Sequence, residues 1–527
     1  MLRSNRMEER QDYKVFWIVV FALLLLTRIP AMANYLSVDN VNLAFSLDKF
    51  DPRIHQPQPP GYPFFVGFAR IVNFVFRDPE RSFIAISLLV SGLSLLAAFF
   101  LGSRMFSRWA GAAGAFLLLV NPVFWHSSLD GPLRPNLALF SLLTAYCCWR
   151  CWNGEKQFAM WGAAALGVGS GFRPDLIAFV FPLWLISSWV GTRSWQALLK
   201  GLAVLAAIVA LWVGALIIAM GGMQSFLDIM FGYAVDQSRS ESIVLGSSIL
   251  AGLRQLNRLV IWNGLAVIGW IWALPFYFRN RDRLPIASSQ AIFLFVWLVP
   301  GLIVQALTHV AAPGHTLFSV AALCVLGGYV LSVVRGRDLV LTFAVVLNVM
   351  LFLDYFPLPV DAAAPSLQRQ PSIKNAILFG TFESSLGQVR YLDDVTRTTL
   401  KEIEEFTPRD RPSIIVTTDG YIDQWFMNWR IGRYYLPDRD FLVLLKIGDR
   451  TSVQRIRRDT VVETLESAPL TLPIKDGSRI IWLIEPQSGF YRKLSLLYKL
   501  SGGRYVFYTD TADGSPSLTW DGDNGIQ

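Results

Sequence analysis

The chain alternates long apolar stretches with short polar connectors. Runs of roughly 17 to 25 mostly apolar residues, the length that crosses a bilayer as a helix, fall near 15 to 33, 83 to 102, 109 to 126, 135 to 152, 157 to 172, 176 to 192, 198 to 220, 256 to 278, 289 to 307, 315 to 334 and 338 to 356. The pattern predicts about eleven transmembrane helices, an odd number that puts the termini on opposite sides. Near Pro357 it changes. PLPVDAAAPSLQRQPS (357–372) reads as a linker, and no span-length apolar run follows it. SIIVTTD (Ser413 to Asp419) and FLVLLKI (Phe441 to Ile447) read as short strands, and GYIDQWFMNWRIGRYYL between them carries aromatics at helical spacing. RIIWLIEP, YRKLSLLYKL and RYVFYTD repeat strand, helix, strand. The expected fold class is a polytopic α-helical membrane protein with a C-terminal extracytoplasmic α/β domain built on a mostly parallel sheet. The expected division is a membrane module over 1–356, with a first outward loop at 34–82, the linker at 357–372, and the α/β domain over 373–527.

Composition agrees with a bilayer setting. Hydrophobic residues make up 53% of the 527 and charged residues 16%, and the mean hydropathy is +0.42, so most of the chain belongs in lipid. The net charge of +8 sits in short tracts between apolar runs. SRMFSRW, RCWNGEK, GTRSWQALLK, RNRDR and RGRD alternate with HSSLDGPLRPN, GFRPD and THVAAPGHT, which are poorer in Lys and Arg. This is the positive-inside pattern, not a phosphate-backbone footprint, and nucleic acid is not expected as a partner. It places the N-terminus in the cytoplasm and the opening loop and C-terminal domain outside, in a multi-pass protein of the cytoplasmic (inner) membrane. The first apolar run lacks a convincing small-x-small cleavage site and reads as a retained helix. Cys147, Cys148, Cys151 and Cys324 lie in or at the ends of apolar runs, without the paired spacing of a zinc site, and read as packing thiols.

The candidate chemistry gathers on the outward side. All four histidines, His55, His126, His309 and His315, lie in or beside outward connectors. Asp39 opens DNVNLAFSL, whose apolar residues suit an amphipathic helix lying at the lipid boundary; it is either a functional carboxylate or the cap of that helix. Asp130 and Arg134 lie in HSSLDGPLRPN, where DG and RP also suit a plain turn. Asp39 and Asp130, coming from separate loops, could divide a general-base role or hold a divalent ion. In GSGFRPDL, Arg173 offers a rigid fork of donors for phosphate oxygens, or else serves as an interfacial anchor paired with Asp175. His309 and His315 flank a PG turn. QPQPPGYP can be neither helix nor ladder strand, and GGMQSFLDIMFGYAVDQSRSESIVLGSS (221–248) has an amphipathic first half that either lies in the interface or moves as a flap. Walker loops, HExxH, G-x-S-x-G and dinucleotide fingerprints are missing.

The order of these motifs resembles the integral-membrane glycosyltransferases of the GT-C fold, which include the protein O-mannosyltransferases and the aminoarabinose transferases of lipid A. The shared pattern is an early acidic residue in the first outward loop, here Asp39 in VDNVNLAFSL, then HQPQPPGYP as an interrupted form of a histidine-proline element. Asp130 before span four, GFRP before span six and GHTLFS at the start of span ten continue it, and the resemblance covers roughly residues 15 to 335. It implies a polyprenyl-phosphate sugar donor, membrane lipid as a partner, and a glycan, lipid or protein acceptor. It further implies inverting transfer of a hexosyl or pentosyl group on the outer face. By that likeness Asp39 is the general base and Arg173 helps hold the lipid phosphate; Asp130 is the second catalytic candidate, and His55, Arg134 and His315 are further substrate-binding candidates. No cofactor is required by this chemistry, and a divalent cation held by Asp39 and Asp130 is the one left open. TWDG near the chain end falls one Trp short of the oligosaccharyltransferase signature, so transfer to asparagine is not expected. A transporter or flippase, or a catalytically inactive scaffold of the same fold, is the alternative.

Overall fold

The computed structural model describes residues 2–239, 242, 246–280, 286–308, 310–353, 380–408, 410, 412–418, 427–447, 450–458, 460–466, 470–472, 477–484, 489–510 and 519–520. The chain divides into two compact units. One comprises Met1–Met32 and Ser46–Val389, the other Ala33–Phe45 and Arg390–Gln527. The expected linker at 357–372 lies outside the described residues.

The first unit is helical: α1 (Leu2–Arg28), the end of α2 (Val38–Asp48), α3 (Pro63–Phe76), α4 (Pro79–Met105), α5 (Arg108–Val120), α6 (Pro122–Asp130), α7 (Pro135–Trp152), α8 (Phe158–Phe172), α9 (Asp175–Thr192), α10 (Trp195–Ala219), α11 (Met223–Arg239), α12 (Ile249–Val267), α13 (Leu274–Asn280), α14 (Ser288–Leu307), α15 (Leu317–Val333) and α16 (Arg337–Phe352). Each of the eleven expected spans coincides with a helix. Among the described residues, six helices are long and apolar enough to cross a membrane, or up to eight if each bent pair is one span. The expected spans at 135–152, 157–172 and 338–356 are helices that fall short of that measure. The protein is a multi-pass membrane protein. Apolar side chains on α1 and α10, such as Ile18, Leu26, Leu211 and Ile218, are exposed because lipid is their solvent. The centre is α4, α5 and α15, which approach closely through small residues: a Cβ on Gly328 would collide with Ala110 O, and one on Gly102 would lie 2.9 Å from Gly111 Cα.

A break between α5 and α6 and the end of α1 shape one polar end of this bundle. Pro122 has no N–H to continue α5, so α6 departs at 54°. Asn121 stabilises the corner by accepting from Phe124 N at 3.0 Å and donating to Leu265 O at 3.2 Å. At the end of α1 the fully buried Arg28 donates to Ser128 Oγ at 3.1 Å and Leu119 O at 2.5 Å, with its guanidinium 4.4 Å from the Trp125 ring centroid. These bonds satisfy a cation that would otherwise be costly away from water. The expected amphipathic half of 221–248 forms α11. The segment at 34–82, expected as the first outward loop, carries the expected α2 and also α3, an apolar helix that fourteen residues make too short to read as a span.

Among the described residues the second unit holds the start of α2, most of α17 (Leu386–Phe406), α18 (Trp429–Tyr435), α19 (Gly489–Leu497) and nine strands: β1 (Ser413–Thr418), β2 (Asp440–Ile447), β3 (Arg450–Arg457), β4 (Thr460–Glu466), β5 (Leu470–Thr471), β6 (Arg479–Leu483), β7 (Ser501–Gly502), β8 (Phe507–Asp510) and β9 (Thr519–Trp520). The main sheet runs β4-β3-β2-β1-β6-β8-β7. It corrects the expectation of a mostly parallel sheet: β1 pairs in parallel with β2 and β6, and every other pairing in it is antiparallel. β3 and β4 are amphipathic hairpin strands rich in Arg, Thr and Glu, and their weak alternation hid them. The central strands are buried on both faces. Ile415, Phe441, Val443 and Ile481 pack on α2, α17 and α18, while Val416, Leu442, Leu444 and Trp482 pack on α19. That two-sided burial is why FLVLLKI reads as an unbroken apolar run.

Candidate active site

In the second unit, α2 starts at Val38, so Asp39 is its second residue and is exposed. Ser37 stands in front of the helix, its Oγ accepting from Asn40 Nδ2 at 2.9 Å and its carbonyl accepting from Val41 N at 2.9 Å. The segment before α2 is pinned by one carboxylate. Asp393 on α17 accepts from Asn34 N at 2.8 Å, Asn34 Nδ2 at 2.7 Å and Tyr35 N at 3.2 Å. Leu36 N donates to the Tyr435 hydroxyl at 2.8 Å, and the Arg433 guanidinium lies 4.4 Å from the Phe45 ring centroid. Burial of Val38, Val41 and Phe45 against the sheet side chains completes the mount.

In the first unit the segment between α6 and α7 and the turn before α15 bring several of the expected residues together. Arg134 Nη1 donates to Asp130 Oδ2 at 2.7 Å, with side chains 20% and 12% exposed. A one-turn 3-10 helix at Pro313–Thr316 presses its backbone on this pair: a Cβ on Gly314 would lie 2.5 Å from Arg134 Cδ and 2.9 Å from Ser127 Oγ. His315 follows, and its carbonyl accepts from Gln305 Nε2 at 2.6 Å. Asp130, Arg134 and His315 thus occupy one locality. His309 lies outside the described residues.

Arg173, at the end of α8, is nearly buried and grips Asp175 in a fork, Nε to Oδ1 at 3.1 Å and Nη2 to Oδ2 at 2.6 Å. Its guanidinium carbon is 6.0 Å from the ring centroid of Tyr62, the penultimate residue of QPQPPGYP. That segment is irregular as expected, with cis bonds at Gln56–Pro57 and Pro59–Pro60. His55 is left-handed at φ 59° after a 3-10 turn over Pro52–Ile54, and its ring lies 6.5 Å from that of Tyr233 on α11.

Sequence reasoning passed over several residues. Asp51 is buried and caps the Pro52–Ile54 turn through Arg53 N at 3.2 Å, while Arg53 Nε and Nη2 bind its two oxygens at 2.7 and 2.8 Å. The hydrogen bond from Arg53 holds the Asp51 carboxyl below the usual carboxylate range. Asp-Pro-Arg is a turn signature that could have revealed this role. Glu383, Ser384 and Gln388 precede or open α17 in a stretch without periodicity or motif, and Asp393 is one of several charges on α17, so none carried a signal. Among the described residues there is no group of three or more His, Cys, Asp or Glu placed to hold a metal ion. Asp130 is engaged by Arg134.

Residues 57–218 match the family described as dolichyl-phosphate-mannose-protein mannosyltransferase. The structure is similar to that of ArnT from Cupriavidus metallidurans bound to undecaprenyl phosphate, with a TM-score of 0.57 at 14% identity, covering 95% of this chain and 98% of that one. The apo state of the same protein gives a TM-score of 0.58 at the same identity and coverage. No curated protein sequence matches the chain. The chain therefore has the GT-C fold, as the motif order led us to expect, and the likeness extends over both units.

Proposed function

We propose that this chain is an inverting GT-C glycosyltransferase that moves a sugar from a polyprenyl-phosphate carrier to an acceptor hydroxyl on the outer face of the cytoplasmic membrane. The observation that carries the reading is the near full-length fold likeness to the structure of ArnT bound to undecaprenyl phosphate, joined to a family match that runs from Pro57 past Arg173. In the proposed step the acceptor oxygen attacks the anomeric carbon from the face opposite the phosphate. Asp39 takes the hydroxyl proton, and the bond from anomeric carbon to phosphate oxygen breaks with its electron pair left on the phosphate. The guanidinium of Arg173 meets the charge that develops on the leaving phosphate, a task its planar fork suits better than an ammonium. Asp130 and Arg134, paired at 2.7 Å, and the neighbouring His315 and His55 are assigned to substrate positioning. An interfacial site follows from the donor itself, because its tail keeps the reactive phosphate at the membrane surface.

The test is Asp39→Asn in native membranes, with a labelled polyprenyl-phosphate sugar and membrane-extracted acceptors. Transfer should fall about 10²- to 10⁴-fold, the usual weight of a general base. A normally folded variant with full transfer overturns the base assignment. Solute flux in proteoliposomes free of donor lipid would instead support a transporter and overturn the reading as a whole.

A further inference from the structure

Arg28, the last residue of α1, is fully buried in the first unit, and the transfer proposed above gives it no task. Its surroundings are neutral. Nε donates to Ser128 Oγ at 3.1 Å, Nη1 to Thr27 Oγ1 at 3.0 Å and Nη2 to Leu119 O at 2.5 Å, and the guanidinium carbon lies 4.4 Å from the Trp125 ring centroid. Among the described residues no carboxylate acts on it. A buried cation without a counter-charge is a poor source of stability, because an apolar side chain of similar volume is often neutral or better in its place. What an apolar side chain lacks is direction, and a guanidinium carries five N–H donors in a fixed plane.

Those donors meet the corner between α5 and α6. The turn at Pro122 leaves the last carbonyls of α5 to find partners outside that helix. Arg28 supplies a donor to Leu119 O, a cation at a helix C-terminus where the dipole favours it. Beyond the turn it holds Ser128 in the last turn of α6. Ser128 Oγ donates onward to Trp125 O at 2.6 Å, the Ser128 carbonyl accepts from Ser87 Oγ on α4 at 2.6 Å, and Trp125 stacks on Phe352 of α16 with 4.0 Å between centroids. Arg28 thus ties α1 to both sides of the break, and through α6 to α4 and α16. Asp130 closes α6 two residues after Ser128 and binds Arg134 at 2.7 Å. The corner therefore sets the angle at which this pair is presented.

We infer that Arg28 is a positioning residue for the Asp130–Arg134 pair: it fixes the bend between α5 and α6 and acts on the reaction only through that pair. The inference rests on the function proposed above, in which the pair positions substrate.

The test is a double-mutant cycle on kcat/KM for the donor, measured on the full chain in nanodiscs with thermal unfolding alongside. Arg28→Met should lower kcat/KM about ten-fold or more. Its melting temperature should stay within about 4 °C of the parent, because the lost hydrogen bonds and the removed buried charge offset each other. Arg28→Lys keeps the charge without the fork and should lose as much transfer. Combining Arg28→Met with Asp130→Asn should leave transfer within about two-fold of Asp130→Asn alone. An equal loss from Arg28→Met in both backgrounds means a general structural role and overturns the inference, as does normal transfer by Arg28→Met or by Arg28→Lys. If Arg28→Met does not fold, Ser128→Ala takes its place. It removes only the bond to α6 and should lower kcat/KM about three- to ten-fold; the same loss in the Asp130→Asn background, or no loss in either, overturns the inference. If the unaltered chain transfers no sugar, the proposed function falls and hydrogen exchange decides the role of Arg28. Backbone amides over residues 123–136 should then exchange about ten-fold faster in the Arg28 or Ser128 variant than in the parent, with those of α9 within about two-fold. A uniform rise, or none, overturns the inference.

Discussion

Removing the Asp393 carboxylate should disable transfer without unfolding the sheet unit. The side chain accepts three hydrogen bonds from Asn34 and Tyr35, two of them at 2.7 and 2.8 Å and one at 3.2 Å. It is itself 9% exposed. Hydrogen bonds to a charged group contribute about 1.5–3 kcal/mol each. Discounting the long bond and allowing water to replace part of the rest, Asp393→Ala should release about 3–5 kcal/mol of anchoring. Val38, Val41 and Phe45 still bury their side chains, so α2 stays docked by its apolar face while the chain before it frays. Misplacing a catalytic group by about 1 Å costs on the order of 10²-fold in rate, so transfer should drop about 10- to 100-fold. The melting transition of this unit should fall by roughly 10 °C. Asp393→Asn is the control. Its amide oxygen can still accept from the two backbone N–H groups, and the Asn34 amide can rotate to offer its oxygen to the introduced NH₂, so most activity should return. Transfer assays in membranes paired with thermal unfolding in detergent read both effects. Full transfer by Asp393→Ala, with a melting temperature within 1–2 °C of the parent, would refute the claim that this carboxylate positions the start of α2.

Two further outcomes follow from the first unit. Arg173→Lys keeps a positive charge but loses the fork, and should lower kcat/KM for the donor about 10- to 100-fold; unchanged donor kinetics would leave Arg173 as an anchor for Asp175 alone. Burial pushes the Glu383 carboxyl up to about 7, with Arg258 pulling it back. Between its ordinary value of 4.5 and about 7 the unfolded chain loses this proton while the folded chain keeps it. Stability should therefore decline by about 3 kcal/mol as pH rises across that window and level off above it. Glu383→Gln should flatten the slope in unfolding measured from pH 5 to 8, and an identical slope in the variant would contradict this.

The parts of the fold legible in the sequence were those that carry a strong period. The apolar runs located each expected helix because lipid-facing and buried positions alike must be apolar, and β1, β2 and β6 showed as unbroken apolar segments because both faces are covered. The antiparallel edges escaped for the opposite reason: β3 and β4 carry Arg455, Arg457 and Glu463 among few apolar residues, so their alternation is faint. The division of the chain was harder still. Composition cannot show that residues 33–45 join the sheet unit, because the bonds that do so run from Asn34 to Asp393, a separation of 359 residues. At the candidate site, sequence reasoning found residues at span ends, such as Asp130, Arg134 and Arg173, since a charge there is conspicuous. It passed over Asp51, whose part in the structure comes from the turn it caps and its fork with Arg53.

Asp39 also has a structural task, and magnitude separates that task from catalysis. It stands in the first turn of α2, where a carboxylate favours the helix N-terminus by about 0.3–1 kcal/mol. At the other end Arg70 Nη2 and Nε donate to Ser46 O and Leu47 O at 2.8 and 2.9 Å, satisfying last-turn carbonyls with a cation, as the helix dipole prefers. Together with Ser37 in front and three buried apolar side chains, α2 has enough support to persist when Asp39 loses its charge. Loss of a general base, by contrast, removes about 2.7–5.4 kcal/mol of transition-state stabilisation, the equivalent of 10²- to 10⁴-fold in rate. A helix-starting role alone would leave transfer within a few-fold of the parent and shift only the melting temperature. An exposed carboxylate whose replacement leaves melting nearly unchanged and transfer at a hundredth or less is therefore acting on the substrate.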